Sequence, residues 1–283
     1  MRTSALRNSA SLPNTALVTW SPQAIPDCPT IFHEIATACV GAVRTSGKRA
    51  VAGDPGAIHT MRIALTKLRA ATLFFQPWIS AAEWQLLNKE LDWLNSALGK
   101  ARNLDVTIEY STRRRYRHWA AQCRRKLLRL QDKAHRQLAR KLCSTRYSSL
   151  MLELDRLLKQ YPSPEDSKGA PLDRVSDFCE KRLHTWRDDL SRQGRHVSTL
   201  GCKQQHRFRI QSKTYRYTVE SLLRLNIPLS REDFSYCEIA KRVHKALGDL
   251  RDLRRLRRSV GSRPPHYRQH RRKLEKRIER LLR

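Results

Sequence analysis

A basic amphipathic segment that occurs twice constrains this chain more than any other feature in it. The first copy runs from His59 to Phe75. Asp54-Pro55 just ahead supplies a side-chain acceptor for the first turn and a proline at the first helical position, and Pro77 supplies the stop. At 3.6 residues per turn, His59, Arg62, Thr66 and Arg69 share one narrow face. Ile63, Leu65, Leu68, Leu73 and Phe74 lie largely off that face and are expected to be buried. Taken alone, such a helix reads first as a solvated charged face.

The recurrence changes that reading. From His206 to Tyr217 the pattern returns without a gap: His206 answers His59, Arg209 answers Arg62, Ile210 answers Ile63 and Arg216 answers Arg69. Lys213 lies where the first copy has Thr66, and Thr214 where it has Lys67. Downstream, Pro77 and Ser80-x-x-Glu83 correspond to Pro228 and Ser230-x-x-Asp233, a stop followed by a capping-box-like restart. Leu98-Gly99-x-x-Arg102-Asn103 then corresponds to Leu247-Gly248-x-x-Arg251-Asp252. Landmarks in one order at nearly constant offset imply an internal duplication.

His-x-x-Arg at the head of a basic helix, followed by Leu-Gly-x-x-Arg-Asn-x-Asp, resembles the CHAD family, the conserved histidine α-helical domain. The second copy, ending Lys213-x-x-Arg216-Tyr217-x-x-Glu220, is similar to that family's second half. The resemblance covers roughly Thr30 to the C-terminus. It implies a duplicated all-α fold that binds inorganic polyphosphate, a module often fused behind a triphosphate-processing domain. Two positions depart from the pattern: Thr66 replaces a usual basic residue, and Arg254 stands where the first copy has Asp105.

Composition narrows the partners. Lys and Arg number 57 against 26 Asp and Glu, a formal net charge of +31 in 283 residues, with a pI near 10.8. That balance predicts attraction to polyanions, whether polyphosphate, nucleic acid or an acidic membrane, and self-repulsion in the free protein. The seven cysteines (Cys28, Cys39, Cys123, Cys143, Cys179, Cys202, Cys237) form no Cys-x-x-Cys pair, so they are read as reduced core thiols with no metal role. No run of about 18 apolar residues suggests a membrane span. The expectation is a cytoplasmic protein without a cofactor, associated with polyphosphate granules.

In chain order, residues 1–29 are rich in Ser, Ala and Pro, with no acid before Asp27. A disordered tail is the first reading and a transit peptide the second. The remainder, 30–283, reads as one CHAD-like domain with halves of about 30–160 and 172–283 and a Pro/Ser/Gly-rich linker at 161–171. A helix is expected from Thr30 to about Ala50. Gly41 to Arg49 superficially resembles a phosphate loop, but five residues separate its glycines and Arg49 replaces the required Ser or Thr. Ser80 to Leu98 reads as a helix that Gly99 breaks. Arg113 to Leu142 reads as one long helix with a seam of Tyr116, Ala120, Cys123, Leu127, Leu130, Ala134 and Leu138. The arginines between these face solvent or a central cavity. A short helix from about Ser148 to Gln160 closes the first half. The second half repeats the order, with a lead helix (Val175, Phe178, Leu183, Trp186), the second basic helix, a capped helix from Ser230 and a Leu-Gly break. The basic stretch Arg263–Arg283 is expected to dock through Leu274, Ile278, Leu281 and Leu282. Nothing alternates with period two, so the fold class is all-α, an internally duplicated helical bundle of pseudo-two-fold symmetry around a basic central groove.

Phosphate oxygens are met by the planar fork of arginine, the point charge of lysine and the ring N–H of histidine. The resemblance and the helix face together nominate His59, Arg62, Arg69, His206, Arg209, Lys213 and Arg216 as polyphosphate-binding residues. Lys67 lies about 80° off the His59 direction at 100° per residue and is a weaker candidate. Arg102 and Arg251 bind the anion or tie helices together through Asp105 or Asp252. The histidines touch phosphate or orient an arginine. Nucleic-acid binding is the leading alternative, with Tyr116, Trp119, Tyr215 and Tyr217 near cations but at core-compatible spacing and no recognisable nucleic-acid motif. An enzyme or accessory subunit of polyphosphate metabolism is the second. Catalysis would need acids to hold metal or activate water, and neither a His-Asp dipeptide nor a Glu-x-Glu-x-Lys strand occurs. His33-Glu34 lacks a second histidine four residues after the first. A non-catalytic binder is therefore expected.

Overall fold

The computed structural model describes residues 26–79, 81–161, 172–197 and 200–282. The proposed tail up to residue 25 and the linker from residue 162 lie outside these. Within the described residues the chain is entirely helical, with no strand. The first segment is α1 (Cys28–Val51), capped by Asp27, whose side chain accepts from the Thr30 amide. Gly53, at φ 83°, then reverses the chain, and Asp54 accepts from the Gly56 and Ala57 amides to start α2 (Pro55–Phe74) with proline at its first position. A short 3₁₀ turn, Gln76–Trp78, carries Pro77 where the stop was expected.

The next helix, α3 (Ala81–Ser111), corrects the sequence reading, for it runs straight through Gly99. Its counterpart α9 (Arg231–Val260) likewise passes through Gly248 without interruption. These glycines do not end helices; they admit side chains. A Cβ on Gly99 would lie 2.5 Å from Nη1 of Arg62, and one on Gly248 would lie 3.6 Å from Nη2 of Arg209. The sequence treated glycine as a breaker, whereas both helices tolerate it because arginines pack against the bare backbone.

The single helix expected over Arg113–Leu142 is in fact two, α4 (Arg117–Ala121) and α5 (Arg124–Leu142), separated by a turn at Gln122–Cys123. Leu127, Ala134 and Leu138 are buried as predicted, but Leu130 is 41% exposed. Gln131 replaces it on the inner face, donating to Asp105 Oδ1 of α3 at 2.8 Å, because a helix of 3.6 residues per turn drifts off a strict 3.5 repeat. Leu73 also turns outward, at 51% exposure, while Ile58, Met61, Leu65, Leu68 and Phe74 fill the core side of α2. Cys143 and Cys202 are exposed, so those two are not core thiols.

The other helices follow the periodicity: α6 (Thr145–Leu158, capped by Ser144), α7 (Leu172–Gly194), α8 (Cys202–Arg224) and α10 (Tyr267–Leu282). Leu274 and Ile278 seat α10 against α9 and α7, as expected of a docked helix. Aromatic rings join the early and late parts of the chain, with Phe74 of α2 edge-on to Phe178 and Trp186 of α7 at 5.5 and 5.4 Å. Asp233, the expected capping residue of α9, is fully buried. Its Oδ1 accepts from Tyr215 of α8 at 2.8 Å and from Arg187 of α7 at 3.1 Å, while its Oδ2 accepts from Ser230. One buried carboxylate with all these donors locks α8 to α7 and α9.

A helix-interior glycine costs roughly 1 kcal/mol relative to alanine. Gly248→Ala, whose new methyl meets Arg209 at ordinary contact distance, should therefore raise the melting temperature by about 2–4 °C. Gly99→Ala should gain less, because its methyl displaces the Arg62 guanidinium. A thermal scan in which Gly99→Ala is the more stable variant would contradict this account of the two glycines.

Candidate anion-binding site

Four helices, α2, α3, α8 and α9, pack around one another, and the cations that the sequence pattern picked out gather where they meet. From α2 come His59 and Arg62, from α3 Arg102, from α8 His206, Arg209 and Lys213, and from α9 Arg251. Thr66 and Lys213, the matching positions of the two copies, touch directly: Lys213 Nζ donates to Thr66 Oγ1 at 3.0 Å. Thr66 in turn donates to the Arg62 carbonyl, which fixes its hydroxyl toward the lysine. The residue that departs from the expected basic pattern thus serves as a neutral acceptor for its opposite number.

Electrostatics mark the cluster out. The Arg62 guanidinium is pushed down to about 10 by burial, with Arg251, Arg255 and Arg102 adding repulsion. Arg209 falls to about 10 for the same first reason, with Arg251 as the leading neighbour. Lys213 drops further than either arginine, to about 7, through burial and then Arg209, Arg62, Arg251 and Arg216. His59 falls to about 4 through burial and the charges of Arg102, Lys213 and Arg62, so it is neutral at pH 7. His206, exposed at the edge, is also lowered by desolvation, Arg251 and Arg209. Among the described residues Arg62, Arg102 and Arg209 have no carboxylate partner. Cations removed from water without counter-charge are costly, and a multiply charged anion relieves that cost.

Carboxylates sit at the margins. Asp252 is shared by Arg251 at 3.5 Å and Arg255 at 3.1 Å, and Glu220 accepts from Arg216 at 2.7 Å. Arg69, two turns along α2 from Arg62, is ion-paired with Asp92 and lines a cleft with Trp84 and Asn88. Arg69 and Arg216 are therefore neutralised within the protein, unlike Arg62 and Arg209. Lys67 lies 5.7 Å from the Tyr217 ring centre, and Lys213 and Arg216 stack over the same buried ring at 5.2 and 5.1 Å. This places Lys67 beside the cluster even though its helical angle diverges. Arg102 does not tie helices through Asp105. That carboxylate accepts instead from Gln131 and from His135 Nε2 at 2.7 Å, leaving Arg102 to face His59. Arg254, which replaces an acid of the first copy, donates to Gln205 at 3.0 Å.

Sequence reasoning missed His244 and Arg255. Both lie on the α9 face that carries Gly248 and Arg251, at steps of four, three and four residues, and that stripe was the signal available. His244 presents a buried Nε2 without a hydrogen-bond partner, and burial with Arg209, Lys213, Arg216 and Arg251 drives its basicity strongly down. Asn95, four residues before Gly99 as His244 is before Gly248, also has a buried side-chain oxygen without a partner. Of the aromatics, Tyr116, Tyr215 and Tyr217 are buried and offer no open stacking face, while the partly buried Trp119 donates to Ser262 at 3.1 Å.

A lysine near 7 in the folded chain, against an ordinary 10.5, holds fewer protons than the unfolded chain between those two values. Folding stability attributable to Lys213 therefore rises with pH across that window. Lys213→Met should be more stable than the parent at pH 7, with the difference shrinking by pH 9–10. Urea denaturation at both pH values measures this, and a variant less stable at pH 7 would contradict it.

Among the described residues no helix is long and apolar enough to cross a membrane, and no group of His, Cys, Asp or Glu is placed to hold a metal ion. The fold matches a solved CHAD domain from the plant Ricinus communis, with a TM-score of 0.71 and 19% identity over 97% of each chain. It also matches PptA from Streptomyces chartreusis, with a TM-score of 0.61 and 15% identity over 91% of this chain and 95% of that one. At such identities the likeness is one of fold. No curated protein shows significant sequence similarity. The CHAD domain profile matches residues 34–261, most of the chain, and this protein belongs to the CHAD domain family.

Proposed function

We propose that this protein binds inorganic polyphosphate, without catalysing its turnover, in the cation cluster between α2, α3, α8 and α9. The observation that carries the reading is the pair Arg62 and Arg209, half-buried, desolvated, without an ion-pair partner among the described residues, and each placed beside a glycine of the neighbouring long helix. This like placement also supports the two-copy architecture and a basic groove between the copies. A thin, flexible chain of phosphates suits such a site, since each phosphate can meet a guanidinium or ammonium group without bringing bulky substituents between the helices. His59, His206 and His244 then serve as neutral N–H donors that gain basicity as negative charge approaches. The nearby acids, Asp252 and Glu220, are engaged by arginines, which supports binding over hydrolysis. In cytoplasm containing polyphosphate deposits, such a protein recruits to the deposits or organises them.

The test is a competition titration at near-physiological salt, with labelled long-chain polyphosphate challenged by duplex DNA, single-stranded RNA or tripolyphosphate. Arg62→Ala/Arg209→Ala should lose at least about tenfold in affinity, and Gly99→Ala should weaken binding where Gly248→Ala does not. Unchanged binding by the double variant removes the site. Phosphate release during incubation with polyphosphate and magnesium would overturn the non-catalytic reading.

Proton linkage gives a second check. Bound phosphate restores Lys213 toward its ordinary basicity, so binding takes up a proton above pH 7. Polyphosphate affinity should fall as pH rises from 7 to 9, by at most about tenfold per unit, and Lys213→Met should flatten that dependence. A parent profile no steeper than the variant's counts against Lys213 as a contact.

A further inference from the structure

The outer face of α5 carries a second arrangement of charge that the central cluster does not use. Arg125, Arg129, Lys133, Arg136 and Arg140 fall within an arc of about 80° along roughly 22 Å of helix. The arc is diametrically opposite Leu127, Ala134 and Leu138, which bury α5 against its neighbours. All five are exposed, and none makes a hydrogen bond or ion pair with a described residue. Asp132, at the edge of the arc, is the one acid on this helix.

Other helices neutralise exposed cations with an acid one turn away: Arg156 with Glu153 on α6, Arg192 with Asp189 on α7, Lys241 with Glu238 on α9 and Arg271 with Glu275 on α10. The α5 stripe has no such pairing, although like charges one turn apart weaken a helix. At its C-terminal end the charge continues across a cleft of about 230 Å³ between α3 and α5, bordered by Lys100, Arg140 and Lys141. The result is a continuous cationic ridge pointing away from α3, and hence away from Arg62, Arg209 and Lys213.

The geometry points to this ridge as a docking surface for the phosphodiester backbone of a nucleic-acid duplex, separate from the polyphosphate site. The guanidinium groups of the cluster are half-buried between helices, whereas the α5 stripe lies on a convex, exposed helix along which a rigid duplex can rest. Stripe steps of about 4.5–6 Å, from three or four residues at 1.5 Å each, suit phosphates spaced by a whole sugar better than phosphates joined through one oxygen. The outermost line of the helix holds no apolar side chain to enter a bilayer, and Leu128 and Leu130 lie on its flanks. The α5 stripe itself carries no aromatic side chain on which a base could stack, so such contact reads backbone charge and not base sequence.

The experiment replaces all five cations (Arg125→Gln, Arg129→Gln, Lys133→Gln, Arg136→Gln, Arg140→Gln) in the full chain, with helicity checked by circular dichroism. Binding of a 20-base-pair DNA duplex and of long-chain polyphosphate is then measured across a salt series. The stripe variant should lose at least tenfold in duplex affinity at about 0.15 M salt, and its log–log salt slope should drop by about 4 to 5, one counterion per cation. Its polyphosphate affinity should stay within about twofold. Arg62→Ala/Arg209→Ala should do the reverse, so failure of the central site and failure of the ridge give different patterns. Normal duplex binding by the stripe variant, or equal loss of both ligands, overturns the proposal. So does loss of binding to phosphatidylserine vesicles with duplex binding unchanged.

Discussion

The constraint on which the centre of this fold depends is a set of like charges, partly withdrawn from water, where four helices meet. Arg62 packs against the bare backbone of α3 at Gly99, whereas Arg209 lies beside Gly248 of α9 with room for a methyl group between them. A methyl at Gly99 would overlap Nη1 of Arg62, so the close approach of α2 to α3 and the direction of that guanidinium depend on one missing carbon. The long uninterrupted helices on either side, α3 and α9, then act as rigid walls. Asp233 performs the complementary task, holding α8 in place through Tyr215, Arg187 and Ser230 so that Lys213 meets Thr66.

The distribution of acids decides what the cluster can do. Asp92, Glu220 and Asp252 neutralise Arg69, Arg216, Arg251 and Arg255 at the periphery, while Arg62, Arg102 and Arg209 have no comparable partner. A carboxylate placed further inward would offset the charge that these arginines carry unpaired. The low basicity of Lys213 and the neutral state of His59 record this tension, since both have given up protons under pressure from burial and neighbouring charge.

Two kinds of cation contribute to the net charge of +31 and obey different physics. Those in the cluster are desolvated and lie close enough together for each to lower the basicity of its neighbours. Those on the α5 ridge are exposed and form no ion pair with a described residue.

Much of this was legible in the sequence. Asp54-Pro55, Ser230-x-x-Asp233 and the apolar periods of α1, α2, α6 and α10 are local signals, and the helices begin and bury as those signals dictate. The repeated His-x-x-Arg pattern likewise nominated Arg62, Arg209 and Lys213 because a helix face is a local property. The role of Gly99 was not legible, since propensity sees a missing side chain and cannot see an arginine arriving from α2. Nor could local spacing show that Asp105 is taken by His135 and Gln131, that Arg69 is neutralised by Asp92, or that His244 and Arg255 join the cluster. Helical period decides which residues share a face. Which faces meet, and which charges are left without a partner there, is decided only when distant helices pack.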